Sequence, residues 1–243
     1  MKIPPLFALV CVLYALQVLV VVTHALRHRV GFLPLGCLMG TLVVFMMLTD
    51  PLGPRLGSDF GIGLPIGSLT LFPNILMALL LVQVSDGVRP MLTLLVSLLG
   101  VYVLLYASSL YLWLWNAWAQ AGLMTMTFAV PDSALLGLWP LLQSALSLVL
   151  DVAVMTALLG LFLYGLPNLP KGVIFGITLA AGLITDGIVY PLLGLNLERI
   201  VADLPGQVLG KVVVAALMTA PMVTHISRCA ECAPRAAGAV PAT

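Results

Sequence analysis

The segment Leu135–Leu163, LLGLWPLLQSALSLVLDVAVMTALLGLFL, decides the fold. It runs for 29 residues with one charged side chain, Asp151. About 20 apolar residues are enough for a helix to cross the hydrocarbon core, so this one is long enough to cross with tilt or to project beyond it. Inside a bilayer each backbone N–H and C=O must be satisfied within the segment, so an apolar run of this length reads as α-helix. A membrane β-barrel would alternate polar and apolar residues in runs of about ten, which this stretch does not do.

Working outward, six further runs meet the same criterion: Pro5–Leu26, Gly31–Leu48, Gly67–Val84, Leu92–Trp115, Val173–Leu193 and Val208–Ile226. The sequence therefore predicts an all-α, polytopic membrane helix bundle with about seven transmembrane helices, and contact with the lipid bilayer. Residues 1–228 form its single integral membrane domain, and 229–243 a short disordered cytoplasmic tail. Composition agrees, since 62% of the 243 residues are hydrophobic and 8% charged, against roughly 25% charged in soluble domains. Ten basic and nine acidic residues make no basic surface for nucleic acid. The first run is longer than a signal-peptide core and lacks a clean small-x-small site, so it reads as a spanning helix.

Lys2, Arg55 and Arg199 fall on the N-terminal side, whereas Arg27, Arg29, Arg89, Lys171, Arg228 and Arg235 fall on the other. The positive-inside rule then puts the N-terminus outside and the C-terminus in the cytoplasm. Tyr111, Trp113, Trp115 and Trp118 read as an interfacial anchor. Leu195 to Leu204 is expected to form a short helix lying at the interface, and Ser85 to Pro90 a solvated cytoplasmic turn.

An ionisable side chain near mid-bilayer costs about 2.5–3.5 kcal/mol or more, which makes it a functional hypothesis by default. Asp151 and Asp186 lie inside spans, and Lys211 near the start of the last one. Ser144 and Ser147 precede Asp151 by seven and four residues and so share its helix face, with Gln143 flanking them. Gly182 and Thr178 precede Asp186 at one and two turns. Lys211 either snorkels to the headgroups or turns inward to pair with an aspartate. Pro73 and Asn74 either form a ligand-facing kink or repair one another. Asp151 itself either lines a polar site or only pins helix packing.

Gly36 and Gly40, and Ala216 and Ala220, have the small-xxx-small spacing of helix contact faces. Cys11 and Cys37 read as small hydrophobes within spans, while Cys229 and Cys232 form a lone CxxC short of zinc ligands. Reversible acylation of that pair is the other reading. His24 and His28 have i, i+4 spacing without a third ligand and read as interfacial. GxSxG, HExxH and Walker A patterns are absent, so neither enzyme activity, a metal nor a cofactor is expected.

A Gly-Ser/Thr-rich start leading to Phe72-Pro73, a helix with Gln143 ahead of a central Asp151, and a last helix opening Leu209-Gly210-Lys211 together resemble the VUT family of queuosine precursor transporters. The resemblance spans roughly Gly67 to Pro221 and implies a compact helical carrier in the bacterial cell (inner) membrane, bringing a small deazapurine base inward. By position it implies that Asn74, Gln143, Asp151 and Lys211 face the ligand. The acidic run that family carries soon after Phe-Pro is missing here, where Leu76 to Val84 is almost wholly apolar. The expected binding residues are thus Asn74, Gln143, Ser144, Ser147, Asp151, Asp186 and Lys211, serving transport of a small polar solute. The alternative is a non-transporting sensory or scaffold module that acts through a partner protein.

Overall fold

The computed structural model describes the backbone of residues 5–52, 55–56, 64–120, 138–166, 168–193 and 197–232. Side chains are described over 7–47, 69–118, 139–166, 168–193 and 208–227. Among the described residues eight helices follow one another: α1 (Pro5–Ala25), α2 (Arg27–Val30), α3 (Leu33–Leu52), α4 (Ile66–Asp86), α5 (Val88–Gln120), α6 (Leu138–Gly165), α7 (Lys171–Leu193) and α8 (Leu197–Cys232). The only strand pairing among the described residues is a two-residue antiparallel ladder, Arg55 opposite Pro65 and Leu56 opposite Leu64. The protein is an all-α integral membrane bundle.

Among the described residues, six helices are long and apolar enough to cross a bilayer, and the apolar stretch of α3, Leu33–Met47, is shorter. Side-chain contacts show that α3 crosses too. Gln17 on α1 meets Met77 on α4 and Met218 on α8, and about two turns later His24 meets Asp86 and His225 on the same two helices. Positions rise together on all three helices, so α1, α4 and α8 run parallel. Two consecutive crossings cannot be parallel, so α3, 20 residues and about 30 Å long, must return across the membrane between α1 and α4. Its own contacts agree: Gly36 lies against Leu94 and Gly40 against Val101, which sets α3 parallel to α5. Among the described residues seven crossings result, with the start of α1 at Pro5 and the end of α8 at Cys232 at opposite ends of the bundle. Arg27, Arg29, Arg89 and Lys171 gather at one end of the bundle, called the basic end below.

α4 is the central helix, packed against α1, α3, α5, α6, α7 and α8. Residues 72–83 are all buried. Such burial needs apolar side chains all the way round, which is why Leu76 to Val82 carries no polar side chain. The outer helices are equally apolar on their exposed faces, where Phe7, Val18, Val96, Val103, Leu104 and Leu161 meet lipid. Tyr111 and Trp113 are exposed near the end of α5, in keeping with an interfacial belt.

Other expectations are corrected. The segment 197–204 is not a separate interfacial helix but continues into the last span as one helix, Leu197–Cys232. Cys11 and Cys37 do not pack inside but lie exposed on the outer surface. Ala216 and Ala220 are exposed as well, so only the Gly36–Gly40 pair forms a contact face within the bundle. Residues 233–243, the rest of the expected tail, and the side chains of Cys229 and Cys232 lie outside the described residues.

Candidate functional site

Three helices of the C-terminal half build the polar core. α6 buries Gln143, Ser144, Ser147 and Asp151, the stripe expected from helical spacing. α7 runs antiparallel to α6 and crosses it closely at Gly182, where a Cβ would come 2.7 Å from Met155 Cγ and 3.5 Å from Leu76 Cδ1 of α4. Only hydrogen fits there, and the close approach draws α4, α6 and α7 into one junction. α8 packs antiparallel along α7, with Gly172 against Val223 and Gly176 against Thr219.

At this junction Lys211 Nζ donates to Asp186 Oδ2 at 2.7 Å, and Ser147 Oγ donates to Asp186 Oδ1 at 3.1 Å. Lys211 is 3% exposed, so it does not snorkel. A long helix that begins at Leu197 places position 211 well inside α8 rather than in its first turn. Asp186 has a partner for each carboxylate oxygen. Asp151, one turn beyond Ser147, is 0% exposed, and apart from the Ser147 hydroxyl, which is engaged by Asp186, no hydrogen-bond donor serves its oxygens. It lies within electrostatic reach of both Asp186 and Lys211. Two carboxyl groups share one ammonium, which is paired with Asp186, so Asp151 has no counter-charge of its own at a depth where water does not screen it.

Asn74 on α4 is also fully buried. Its Nδ2 donates to the Thr70 carbonyl at 2.7 Å, which fixes the amide orientation and leaves Oδ1 without a donor. The amide therefore spends half of its capacity steadying the helix around Pro73 and keeps the other half. The structure thus brings Ser147, Asp151, Asp186 and Lys211 together. Asn74 stands two positions before Leu76, the α4 residue that meets Gly182, which turns it about 200° from that side of the helix. Gln143 and Ser144 lie one to two turns away along α6.

Two features go beyond what the sequence shows. Thr178, two turns before Asp186, is 0% exposed on α7 and has no partner for Oγ1. Thr41, Thr93, Ser97, Ser108 and Thr224 all donate to the carbonyl four residues back, which hides a hydroxyl in an apolar medium. Sequence does not tell which threonine will do so. The second feature joins α1, α4 and α8 at the basic end. Arg27 Nε donates to Asp86 Oδ1 at 2.8 Å, while His24 Nε2 faces Asp86 Oδ2 at 3.1 Å and Ser85 Oγ at 2.9 Å. His24 Nδ1 lies 3.1 Å from both Arg27 Nη1 and His225 Nε2. Arginine can only donate, so Nδ1 accepts and Nε2 carries the hydrogen. His24 is 0% exposed and the Asp86 side chain 18%, so neither the interfacial reading of His24 nor the solvated-turn reading of Asp86 holds. The turn itself is real, with Gly87 at φ 96° reversing the chain from α4 into α5. A helix-end aspartate in sequence looks solvated. Only the packing of α1 alongside α4 supplies its partners.

An apolar groove of about 300 Å³ lies between α5 and α6, lined by Leu99, Tyr102, Val103, Tyr106, Leu141, Leu142 and Ala145. Exposed Val103, Tyr106 and Leu142 on its rim make it a lipid-facing surface, separate from the polar core. Among the described residues no group of three His, Cys, Asp or Glu could hold a metal ion. In comparisons with known proteins, no family model, no curated sequence and no solved structure matches the chain.

Proposed function

We propose that this membrane protein is a carrier for a small polar solute, and that Asp151, Asp186 and Lys211 form the centre of its translocation site. The observation that carries the reading is the odd carboxyl group: Asp151 is fully buried with no donor beyond the Ser147 hydroxyl, and among the described residues the one lysine near it is held by Asp186. A bundle optimised for stability alone gains nothing from this arrangement, because a buried polar group short of partners costs about 1–3 kcal/mol, and more if it is charged. A carrier gains a group that a solute or a coupling ion can satisfy.

The same geometry suggests how occupancy could be linked to movement. Lys211 has two candidate counter-charges on two different helices, Asp186 on α7 and Asp151 on α6. A ligand that neutralises Asp151 leaves the α7–α8 pair intact, and its departure makes the two carboxylates compete for one ammonium. Competition of this kind gives a helix interface two alternative arrangements, which alternating access requires. At the basic end, which positive-inside reasoning turns toward the cytoplasm, the Arg27–Asp86–His24–His225 network ties α1, α2, α4 and α8 together.

The substrate class proposed is the one implied by the VUT-family resemblance, a deazapurine queuosine precursor, whose ring donors suit the oxygen acceptors of Asn74 and Asp151. The test is uptake of labelled queuosine precursors into a deletion strain that carries either the wild-type chain or Asp151→Asn. Uptake restored by wild type and lost in Asp151→Asn, at equal membrane insertion, supports the carrier. Uptake unchanged by the deletion removes this substrate, and the partner-dependent sensory or scaffold role then takes precedence.

A further inference from the structure

Ser147 has a single hydroxyl hydrogen, and Asp186 takes it: Ser147 Oγ donates to Asp186 Oδ1 at 3.1 Å. The same hydroxyl is within hydrogen-bonding reach of Asp151, whose buried oxygens have no other donor. What Ser147 still has to offer there is a lone pair, and a carboxylate offers nothing else. The contact therefore becomes a hydrogen bond only when Asp151 supplies the hydrogen. Turning the hydroxyl toward Asp151 does not remove the shortage, because Asp186 Oδ1 then loses its donor. Charge leads to the same count. The charged groups within reach of Asp151 are Asp186 from α7 and Lys211 from α8, and these two hold one another at 2.7 Å. One added proton makes the three groups neutral as a set, which lowers the cost of keeping them in a low-dielectric interior.

The other elements packed around α6 bring no further charge to this level among the described residues. Leu76 of α4 and Met155 of α6 both meet Gly182. Asp86 lies ten residues beyond Leu76 and Asp151 four before Met155, so the two aspartates stand about 20 Å apart along parallel helices. Tyr102 and Tyr106 on α5 face Leu141, Leu142 and Ala145, six or more residues before Asp151. Tyr190, one turn beyond Asp186 on α7, is exposed.

We propose that Asp151 is the proton-binding residue of this site, held as a carboxylic acid that donates to Ser147 Oγ, and that the proton is the coupling ion. The coupling rests on the carrier reading, whereas the proton site itself does not. Release breaks the Asp151 O–H bond, leaves its electron pair on the carboxylate and passes the proton to water admitted when the site opens. The new carboxylate then competes with Asp186 for Lys211, which remains an ammonium throughout. A proton occupies one oxygen of Asp151, so the other stays available to accept from a solute.

The test is infrared difference spectroscopy of the purified full-length protein in detergent, taken between neutral and alkaline pH. The expected result is the carbonyl stretch of a neutral carboxylic acid at neutral pH, which shifts in deuterium oxide, fades as the pH is raised and is lost in Asp151→Asn. Ser147→Ala should keep the band and move it to higher frequency, because the acid loses its acceptor; this variant keeps the test decisive if Asp151→Asn does not fold. A band absent at neutral pH, one retained in Asp151→Asn, or one that Ser147→Ala leaves unmoved overturns the proposal. Coupling is read in reconstituted vesicles supplied with a labelled deazapurine base. With the outside more acidic by one pH unit, one proton per solute gives accumulation of up to about tenfold, and a sodium gradient gives none. Accumulation that depends on Asp151 but follows sodium and ignores pH defeats the proton and leaves the carrier, whereas the Asp151 band without flux of the base defeats the carrier as proposed and leaves the proton site standing.

Discussion

Replacing Lys211 by methionine removes the only cation of the polar core at nearly constant side-chain volume. Lys211 Nζ lies 2.7 Å from Asp186 Oδ2, with side chains 4% and 13% exposed. At an effective dielectric of about 20, two unit charges at that separation attract by about 6 kcal/mol. Part of this returns when the ammonium no longer has to be desolvated, which leaves a loss of about 3–5 kcal/mol, the range for stripping one partner from a buried pair. Asp186 would then face Asp151 with only Ser147 to help. For a chain of this size the loss corresponds to a fall in unfolding midpoint on the order of 10 °C. Tryptophan fluorescence during a temperature ramp in detergent reads it directly. Lys211→Met/Asp186→Asn should recover most of the loss, because no charge is stranded and the asparagine oxygen still accepts from Ser147. The coupling energy from the cycle should then exceed about 2 kcal/mol. A single variant that melts within about 2 °C of wild type, or a double variant that falls by the sum of the singles, would refute the buried pair.

Three further outcomes follow from the packing. Gly182→Leu should prevent α6 and α7 from closing, since even a Cβ would stand 2.7 Å from Met155 Cγ; size-exclusion chromatography should show loss of the monodisperse peak, and Gly182→Ala a milder destabilisation of about 1–3 kcal/mol as Met155 shifts. Asp86→Asn leaves the Arg27 guanidinium, whose side chain is 6% exposed, without its counter-charge; partial solvent access limits the expected loss to about 2 kcal/mol, and an unchanged midpoint would show that the network at the basic end is not formed. Reporter domains fused at Met1 and Thr243 should report opposite compartments, as seven crossings require; the same compartment at both ends would remove α3 from the membrane.

The spans were legible in the sequence because hydropathy acts locally. A run such as Val173–Leu193 has no soluble alternative, whatever surrounds it. The stripe Ser144, Ser147, Asp151 was legible because helical periodicity puts residues three and four apart on one face. Asn74, Asp186 and Lys211 drew attention as polar side chains at costly positions. By contrast, the contacts of Gln17 and the lack of a partner at Thr178 were not legible, since neutral polar residues in helices commonly satisfy themselves within their own turn. The His24–Arg27–Asp86–His225 network was hidden for another reason: its members lie up to 201 positions apart and each, taken alone, resembles an ordinary residue at a membrane edge.

By itself, then, the sequence determined that the chain is an all-α membrane bundle, where most of its helices run, and that its later helices carry ionisable groups lipid would not tolerate. Tertiary structure alone decided which aspartate holds Lys211, that Asp151 is left over, that α4 sits at the centre, and that α3 completes a seventh crossing. The physical reason is that solvation energy belongs to each residue in its segment and can be read along the chain. Pairing and helix direction belong to contacts between segments, which no single helix encodes.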